Sequence, residues 1–193
     1  MRKLVIAVDC DDVLVRTTPF FVDAYNKKYG TKVTPAKAHV GDEIWETDRA
    51  TLDGRFAELM ETDEYKKLSP SLEEIAVLTA LSKDHELHVI TARRAHEREV
   101  TQLMLDKYTP GVFASLELVG FTGSKGEVCK SIHADVLIDD NVRHLEDAIK
   151  HGLPRSGAIL FGDYAWNGDG AGDLTRCHTW EEVQEEINRL GRA

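Results

Sequence analysis

Two aspartates follow a short apolar segment near the start of the chain. Asp9 and Asp11 come directly after the run Leu4-Val5-Ile6-Ala7-Val8. Five apolar residues that end in acids indicate a buried parallel strand with carboxylates at its carboxyl end, where open α/β sheets build their sites. Residues two apart on an extended chain point the same way. Two carboxylates so close repel each other unless a divalent cation or a shared proton binds them.

Three further polar groups lie at comparable places in the sequence. Thr91 ends the apolar segment 86–91, Lys125 lies in the stretch Gly123-Ser124-Lys125-Gly126-Glu127, and Asp139 and Asp140 follow the apolar residues 136–138. Together with Asp9 and Asp11 they provide two acid clusters, one hydroxyl and one ammonium group. This set of groups suits phosphoryl transfer, in which positioning and charge neutralisation provide most of the catalysis.

The elements that must position these residues alternate along the chain. Apolar runs predict strands over residues 4–9, 86–91, 116–121, 136–140 and 158–161. Amphipathic patterns predict helices between them: from the capping box at Ser71 to about Leu81, over 95–108, from the Asn141 cap to near Gly152, and from the capping box at Thr179 onward. Such alternation predicts a parallel sheet with right-handed crossovers.

One interval is too long for a single crossover helix. More than seventy residues separate the first two predicted strands, and helical patterns cover 19–29, before Gly30, and about 48–61. We therefore expect a small helical insert at 17–70, lying over the carboxyl end of the first strand. The remaining residues, 1–16 and 71–193, are expected to form one α/β core domain.

Composition limits the class of partner. The chain has 193 residues and a formal net charge of −10, which argues against polymeric nucleic acid because such partners favour basic surfaces. No apolar segment approaches the length of a membrane span, so no membrane partner is expected. Three widely spaced cysteines suit a reducing compartment better than a disulfide framework. We therefore expect a cytoplasmic protein; oligomeric state is not predicted.

The polar groups resemble, in order, the four motifs of the haloacid dehalogenase (HAD) superfamily of Mg²⁺-dependent phosphohydrolases. Asp9-x-Asp11-x-Val13 resembles the first motif, Thr91 the second, Lys125 the third and Asp139-Asp140 the fourth. Within the superfamily, the chain is similar to the 5′(3′)-deoxyribonucleotidase-like branch. The features that indicate this branch are Asp12 where glycine is commoner, the form Leu-Ile-Asp-Asp of the fourth motif, and the small insert after the first motif.

The resemblance implies a fold and a mechanism. The fold would be a Rossmann-like core, with a five-stranded parallel sheet in the order 5-4-1-2-3 and a small α-helical cap inserted after strand 1. Asp9 would attack phosphorus to form an aspartyl-phosphate, and Asp11 would act as general acid and then as general base.

The same resemblance implies roles for the other motif residues. Mg²⁺ would bind oxygens of Asp9, the Asp11 backbone and Asp140, with Asp139 supporting the metal site or binding the ion directly. Thr91 and Lys125 would hold the phosphate oxygens.

Several assignments remain open at this stage. Lys130, a little over one turn beyond Lys125, is the alternative phosphate ligand. Arg93 and Arg94 either bind substrate or form a solvated helix start. Trp45 is the candidate for stacking on a nucleobase, although an aromatic residue in the insert is more often part of a hydrophobic core.

The leading hypothesis is a Mg²⁺-dependent phosphomonoesterase that acts on a small phosphorylated metabolite, with a nucleoside monophosphate as the favoured substrate. One alternative keeps this chemistry but assigns a sugar phosphate or another metabolite as substrate. An alternative of a different class is a phosphoacceptor module of the receiver type, which also combines acids, a threonine and a lysine. In receivers, however, the lysine comes last, whereas Lys125 precedes the final acid pair.

Overall fold

Six parallel strands form a single sheet in the order β3-β2-β1-β4-β5-β6 in the computed structural model, which describes residues 2–167 and 172–192. The strands are β1 Val5–Val8, β2 Glu86–Thr91, β3 Phe113–Leu118, β4 Val136–Asp139, β5 Ala158–Phe161 and β6 Thr175–Cys177. The helices are α1 Thr17–Tyr29, α2 Arg49–Met60, α3 Asp63–Lys66, α4 Leu72–Leu81, α5 Arg98–Tyr108, α6 Lys125–Ser131, α7 Val142–Lys150 and α8 Trp180–Leu190. Short 3₁₀ turns cover Pro35–Lys37, Asp42–Trp45, Ala95–Glu97, Arg155–Gly157 and Ala165–Asn167.

The central strands are apolar throughout because helices cover both faces of the sheet. Along β1, Ile6 and Val8 join the hydrophobic cluster that contains side chains of α4, α5 and α8. Ala7 points the other way and joins the cluster formed with α6 and α7. Burial of such continuous runs on both faces confirms the α/β fold class. The strand order confirms the predicted order of the first five strands.

Side-chain caps fix where the helices begin, and three predicted caps are present. Ser71 and Glu74 form a reciprocal capping box at α4. The Thr179 side chain accepts a hydrogen bond from a backbone N–H of α8, and the Asn141 side chain does the same at α7. Each cap satisfies a backbone donor that the helix itself leaves free.

Two strands differ from the sequence prediction. The third strand covers Phe113–Leu118 rather than 116–121, because it pairs with β2 in a register that sets Leu118 opposite Thr91. The chain then turns at Gly120, where φ is +69°, and Phe121 is half exposed. The sixth strand was not predicted, since three residues with a polar start give no apolar run; it pairs with β5 at the edge of the sheet.

The segment between β1 and α4 has a hydrophobic cluster of its own. Val22 and Tyr25 of α1 pack with Leu52 and Leu59 of α2 and with Trp45 between them. The predicted helices at 19–29 and 48–61 correspond to α1 and α2. This cluster places the two helices against each other, above the carboxyl end of β1.

None of the helices in the described residues is both long and apolar enough to cross a membrane.

Candidate active site

The carboxyl ends of β1, β2 and β4 bring the sequence motifs together. Asp9 directly follows β1, Thr91 is the last residue of β2, and Asp139 is the last residue of β4. β1 lies between β2 and β4 in the sheet, so all three ends meet at one edge. The site is therefore at the switch point, where the chain leaves β1 on one side and returns through β4 on the other.

Lys125 joins Asp9 to Asp139. Its ammonium Nζ lies 2.7 Å from Asp9 Oδ1 and 2.7 Å from Asp139 Oδ2, and its side chain is completely buried. Burial alone would lower the pKa of Lys125, but the two carboxylates outweigh it and raise that pKa. Lys130, the alternative in the sequence, is exposed. The structure thus places Lys125 in the site as a fixed positive charge.

Hydrogen bonds hold Lys125 at the start of α6. Ser124 caps this helix, its hydroxyl accepting from the Glu127 N–H at 2.9 Å and donating to Asp147 Oδ2 at 2.7 Å. The Gly126 N–H donates to the same Asp147 oxygen at 2.8 Å. A Cβ on Gly126 would lie 2.6 Å from the Asp147 carbonyl oxygen, so glycine allows α6 to approach α7 closely. These contacts fix the helix turn from which Lys125 reaches Asp9.

Asp9, Asp139 and Asp140 form a buried carboxylate cluster. Each offers one oxygen, and these oxygens lie within 4.8 Å of one another. Burial raises the pKa of Asp9 to about 7, against the lowering effect of Lys125, and burial raises the pKa of Asp140 well above its ordinary value. Excess negative charge in a buried site and hard oxygen donors suit Mg²⁺. The residues present therefore fit the metal that the sequence predicted.

The neighbours of Asp139 and Asp140 distinguish these two residues. Asp139 Oδ2 accepts from Lys125, and Asp139 Oδ1 accepts from the Asn141 N–H at 2.9 Å, so both of its oxygens already have donors. The Asp140 carboxylate receives the Trp166 indole N–H on Oδ2 at 2.6 Å. Among the residues that the structure describes, Asp140 thus has no cationic neighbour comparable to Lys125, and its Oδ1 is the better placed to bind a metal ion.

Asp11 is held by a different cation. Arg93 Nη2 donates to Asp11 Oδ1 at 2.7 Å and Arg93 Nε to Oδ2 at 3.0 Å, an arrangement that grips both carboxylate oxygens. The Thr17 hydroxyl adds a bond of 2.6 Å, and that of Thr91 lies 3.5 Å away. Burial would raise the pKa of Asp11, but the Arg93 guanidinium and these hydrogen bonds hold it below its usual range.

The contact between Arg93 and Asp11 was not predicted from the sequence. Only 6% of Arg93 is exposed, and its Nη1 donates to Thr101 at 2.8 Å, so the residue is not a solvated helix start. The neighbouring residue Arg94 is on the surface, 38% exposed, with Asp53 as its partner at 3.3 Å. The two adjacent arginines therefore differ in environment, and only Arg93 reaches the carboxylates.

Asp12 connects the turn after β1 to α1. Its φ is +58°, a left-handed conformation that glycine adopts most easily and that aspartate tolerates better than most residues. Its carboxylate accepts from the Thr18 N–H at 3.1 Å and from the Thr18 hydroxyl at 2.5 Å. An aspartate in the position where glycine is commoner therefore anchors the first turn of α1.

A cavity of about 560 Å³ opens above the carboxylates, between the edge of the sheet and helices α1 and α2. Its apolar wall includes the aromatic side chains of Phe21, Trp45, Phe56, Tyr65 and Phe121. Trp45 is almost fully buried, its ring is 4.9 Å from that of Tyr25, and its indole donates to the Ala38 carbonyl at 3.3 Å. Trp45 thus belongs to the cluster between α1 and α2 and also lines the cavity.

Comparisons with known proteins agree with this geometry. The model of the family described as "5′ nucleotidase, deoxy (Pyrimidine), cytosolic type C protein" matches residues 3–192. A search of curated proteins found no match.

Solved structures share the fold. A haloacid dehalogenase-like hydrolase from Streptococcus pneumoniae is 14% identical, with a TM-score of 0.70 over 96% of this chain and 98% of its own. A predicted phosphatase from Clostridium acetobutylicum is also 14% identical, with a TM-score of 0.69 over 98% of this chain and 100% of its own. A haloacid dehalogenase-like protein from Agrobacterium tumefaciens is 14% identical, with a TM-score of 0.70 over 97% of this chain and 99% of its own.

The family match covers nearly the whole chain, and the fold and motif order agree with it. The protein therefore belongs to the cytosolic type C 5′-deoxynucleotidase family and is a phosphoric monoester hydrolase, with the fold of the haloacid dehalogenase-like hydrolases.

Proposed function

We propose that the protein hydrolyses nucleoside monophosphates through an aspartyl-phosphate on Asp9, with Mg²⁺ as its cofactor. The observation that carries this proposal is the buried cluster of Asp9, Asp139 and Asp140 with Lys125 on one side of it. The cluster combines a nucleophile, oxygen ligands for a divalent cation and a fixed ammonium group. Catalysis of phosphoryl transfer depends on this combination of positioning and charge.

The bound Mg²⁺ would neutralise charge on the phosphate and keep Asp9 ionised; Asp9, the Asp11 backbone carbonyl and Asp140 would hold it. Asp139 would contribute mainly through Lys125, since both of its oxygens have protein donors. Lys125 and Thr91 would bind the non-bridging phosphate oxygens. The two positive charges of the ion would offset negative charge in the buried carboxylate cluster.

The reaction would proceed in two steps, formation of the aspartyl-phosphate and its hydrolysis. In the first, an Asp9 oxygen bonds to phosphorus, the ester P–O bond breaks, and Asp11 gives its proton to the leaving alcohol oxygen. In the second, Asp11 takes a proton from water, the water oxygen bonds to phosphorus, and phosphate leaves with Asp9 regenerated. A substrate phosphate placed beside Asp11 would add negative charge there, which favours the protonated form needed for the first step.

Residues 17–70 would serve as a cap that selects the substrate. A cavity of about 560 Å³ can hold a small-molecule ligand, and its aromatic wall offers faces on which a base can stack. Phe21 and Phe56, whose rings are 4.9 Å apart, lie in that wall. Trp45 would contribute by supporting this wall from within the cap cluster.

Phosphate release from a panel of phosphomonoesters tests the proposal. The panel contains ribo- and deoxynucleoside monophosphates, sugar phosphates and an aryl phosphate, each with Mg²⁺ and with chelator. We expect Mg²⁺-dependent release that is fastest from nucleotides. The variants Asp9→Asn and Asp11→Asn are expected to lose turnover, whereas Asp106→Asn, at an exposed position on α5, is expected to keep it.

The panel separates the alternatives. Faster release from sugar phosphates would keep the chemistry and replace the substrate. Stable labelling by acetyl phosphate without turnover would favour a receiver-type module. Retained turnover in Asp9→Asn would rule out the aspartyl-phosphate mechanism.

A further inference from the structure

Trp166 lies beside the carboxylate cluster, although it is distant from it in sequence and belongs to none of the motifs. It is in the 3₁₀ turn Ala165–Asn167 that follows β5. Its indole N–H donates to Asp140 Oδ2 at 2.6 Å. Within residues 2–167 and 172–192, no other hydrogen bond to the Asp140 side chain is seen. Among the described residues, Asp140 Oδ2 therefore has a hydrogen-bond donor and Asp140 Oδ1 has none.

The turn that carries Trp166 is firmly attached to the sheet. Asn167 is completely buried, and its Nδ2 donates to the Phe161 carbonyl of β5 at 2.9 Å. Its Oδ1 accepts from the Tyr164 N–H at 3.1 Å and from Arg176 Nη1, on β6, at 2.9 Å. These bonds hold the backbone on either side of Trp166, so the indole N–H is directed at Asp140 by a rigid support.

Two further side chains fix the plane of the indole ring. Tyr164 stacks on it, with ring centroids 4.6 Å apart and an interplanar angle of 5°. The ring of His39, in the segment 17–70, also lies close, with its centroid 4.2 Å from that of the Trp166 ring. His39 Nε2 is in turn 3.1 Å from the Thr18 hydroxyl, at the start of α1. The indole is thus held between the sheet edge and the segment 17–70.

We propose that Trp166 is a positioning residue that orients the Asp140 carboxylate for a divalent cation. The proposal rests on the proposed function, because it takes Asp140 as a metal ligand. With Oδ2 bound to the indole, Oδ1 is left for the metal, and the carboxylate cannot rotate without breaking a short hydrogen bond. Partners of this kind, which bind a ligand and not the metal, commonly contribute ten- to a hundredfold to metal affinity.

Calorimetric titration with Mg²⁺, in the absence of substrate, tests this role. Trp166→Phe keeps an aromatic ring between Tyr164 and His39 but removes the N–H. The matched control is Trp180→Phe, because Trp180 is a buried core residue whose indole donates to the Val13 carbonyl at 3.3 Å rather than to a carboxylate. Trp166 is half-buried in a surface turn, so its replacement does not endanger folding.

We expect Trp166→Phe to weaken Mg²⁺ binding about tenfold or more, and Trp180→Phe to leave it nearly unchanged. A loss for Trp166→Phe that is less than about fivefold greater than the loss for Trp180→Phe would overturn the positioning role. If the unmodified protein does not bind Mg²⁺ at all, the metal site itself is wrong and the proposed function fails with it. The titration therefore distinguishes failure of the inference from failure of the function.

Discussion

Replacing Lys125 by methionine is the most demanding test of the site, because one ammonium group serves two buried carboxylates. Its Nζ is 2.7 Å from both Asp9 and Asp139, and none of its side chain is exposed. Methionine has a similar length and an apolar side chain, so packing changes little. The substitution therefore isolates the loss of the positive charge.

The contacts set the expected size of the effect. Removing one partner from a buried ion pair costs about 3–5 kcal/mol, because the remaining charge is left uncompensated. Asp9 can limit the loss by keeping a proton, since burial already raises its pKa to about 7. We therefore expect a decrease near the lower end, about 3 kcal/mol in the free energy of unfolding at neutral pH.

The sign of the pH dependence follows from the same carboxylates. A carboxyl group whose pKa is raised in the folded state stabilises the fold at low pH and loses that contribution as pH rises through the folded pKa. Without Lys125 the pKa of Asp9 moves further above about 7. The deficit relative to the unmodified protein therefore widens above about pH 7, by about 1.4 kcal/mol per pH unit for each affected carboxylate.

Urea unfolding in the presence of a chelator, at about pH 6 and about pH 8, measures the decrease in the free energy of unfolding and its change with pH. Lys130→Met is the control, since Lys130 is on the same helix and exposed. A deficit for Lys125→Met that stays within about 1 kcal/mol of the control, or that shrinks as pH rises, would refute the electrostatic reasoning.

Substitutions at two other positions, Arg93 and Asp12, test the contacts around the carboxylates. Arg93→Lys keeps the positive charge but loses the two-point contact with Asp11, so the pKa of Asp11 should rise. The acidic limb of the pH–kcat profile should then move to higher pH. The control Arg94→Lys should leave that limb in place. Asp12→Gly retains the backbone conformation at φ +58° but removes the hydrogen bonds to Thr18, and should lower stability by about 1 kcal/mol in thermal unfolding. Asp12→Ala should cost about 1 kcal/mol more, since alanine is strained at that φ, and equal effects of the two would contradict this account.

Much of the fold was predictable because the patterns that encode it are local. Apolar runs such as 136–138 can only be buried between two layers of helices, and a cap such as Asn141 marks the start of a helix through its own side chain. β6 was not predictable, because its position depends on pairing with β5 at the sheet edge rather than on any run of its own. The bounds of the third strand likewise depend on its register with β2.

The candidate site was predictable only in part, for the same reason. The motifs identified Asp9, Asp11, Lys125 and their neighbours because residue type and order are visible in sequence. The pairing of Arg93 with Asp11 requires the ends of β1 and β2 to be adjacent in the sheet. The spacing of the two residues along the chain does not predict this adjacency. The bond between Trp166 and Asp140 likewise depends on the approach of the turn after β5 to the end of β4, which the sequence does not show.

The different donors around the four aspartates explain how chemically identical side chains can take different roles. Lys125 forms ion pairs with both Asp9 and Asp139, and Arg93 forms one with Asp11. Asp140 receives only a neutral N–H among the described residues, so its charge is the least compensated of the four. Because a dication gains most where negative charge is buried and uncompensated, the two protein cations would direct the proposed Mg²⁺ towards Asp140 and the adjoining oxygens of Asp9. In the proposed site, Lys125 and Arg93 would thus determine the metal position as much as the carboxylates do.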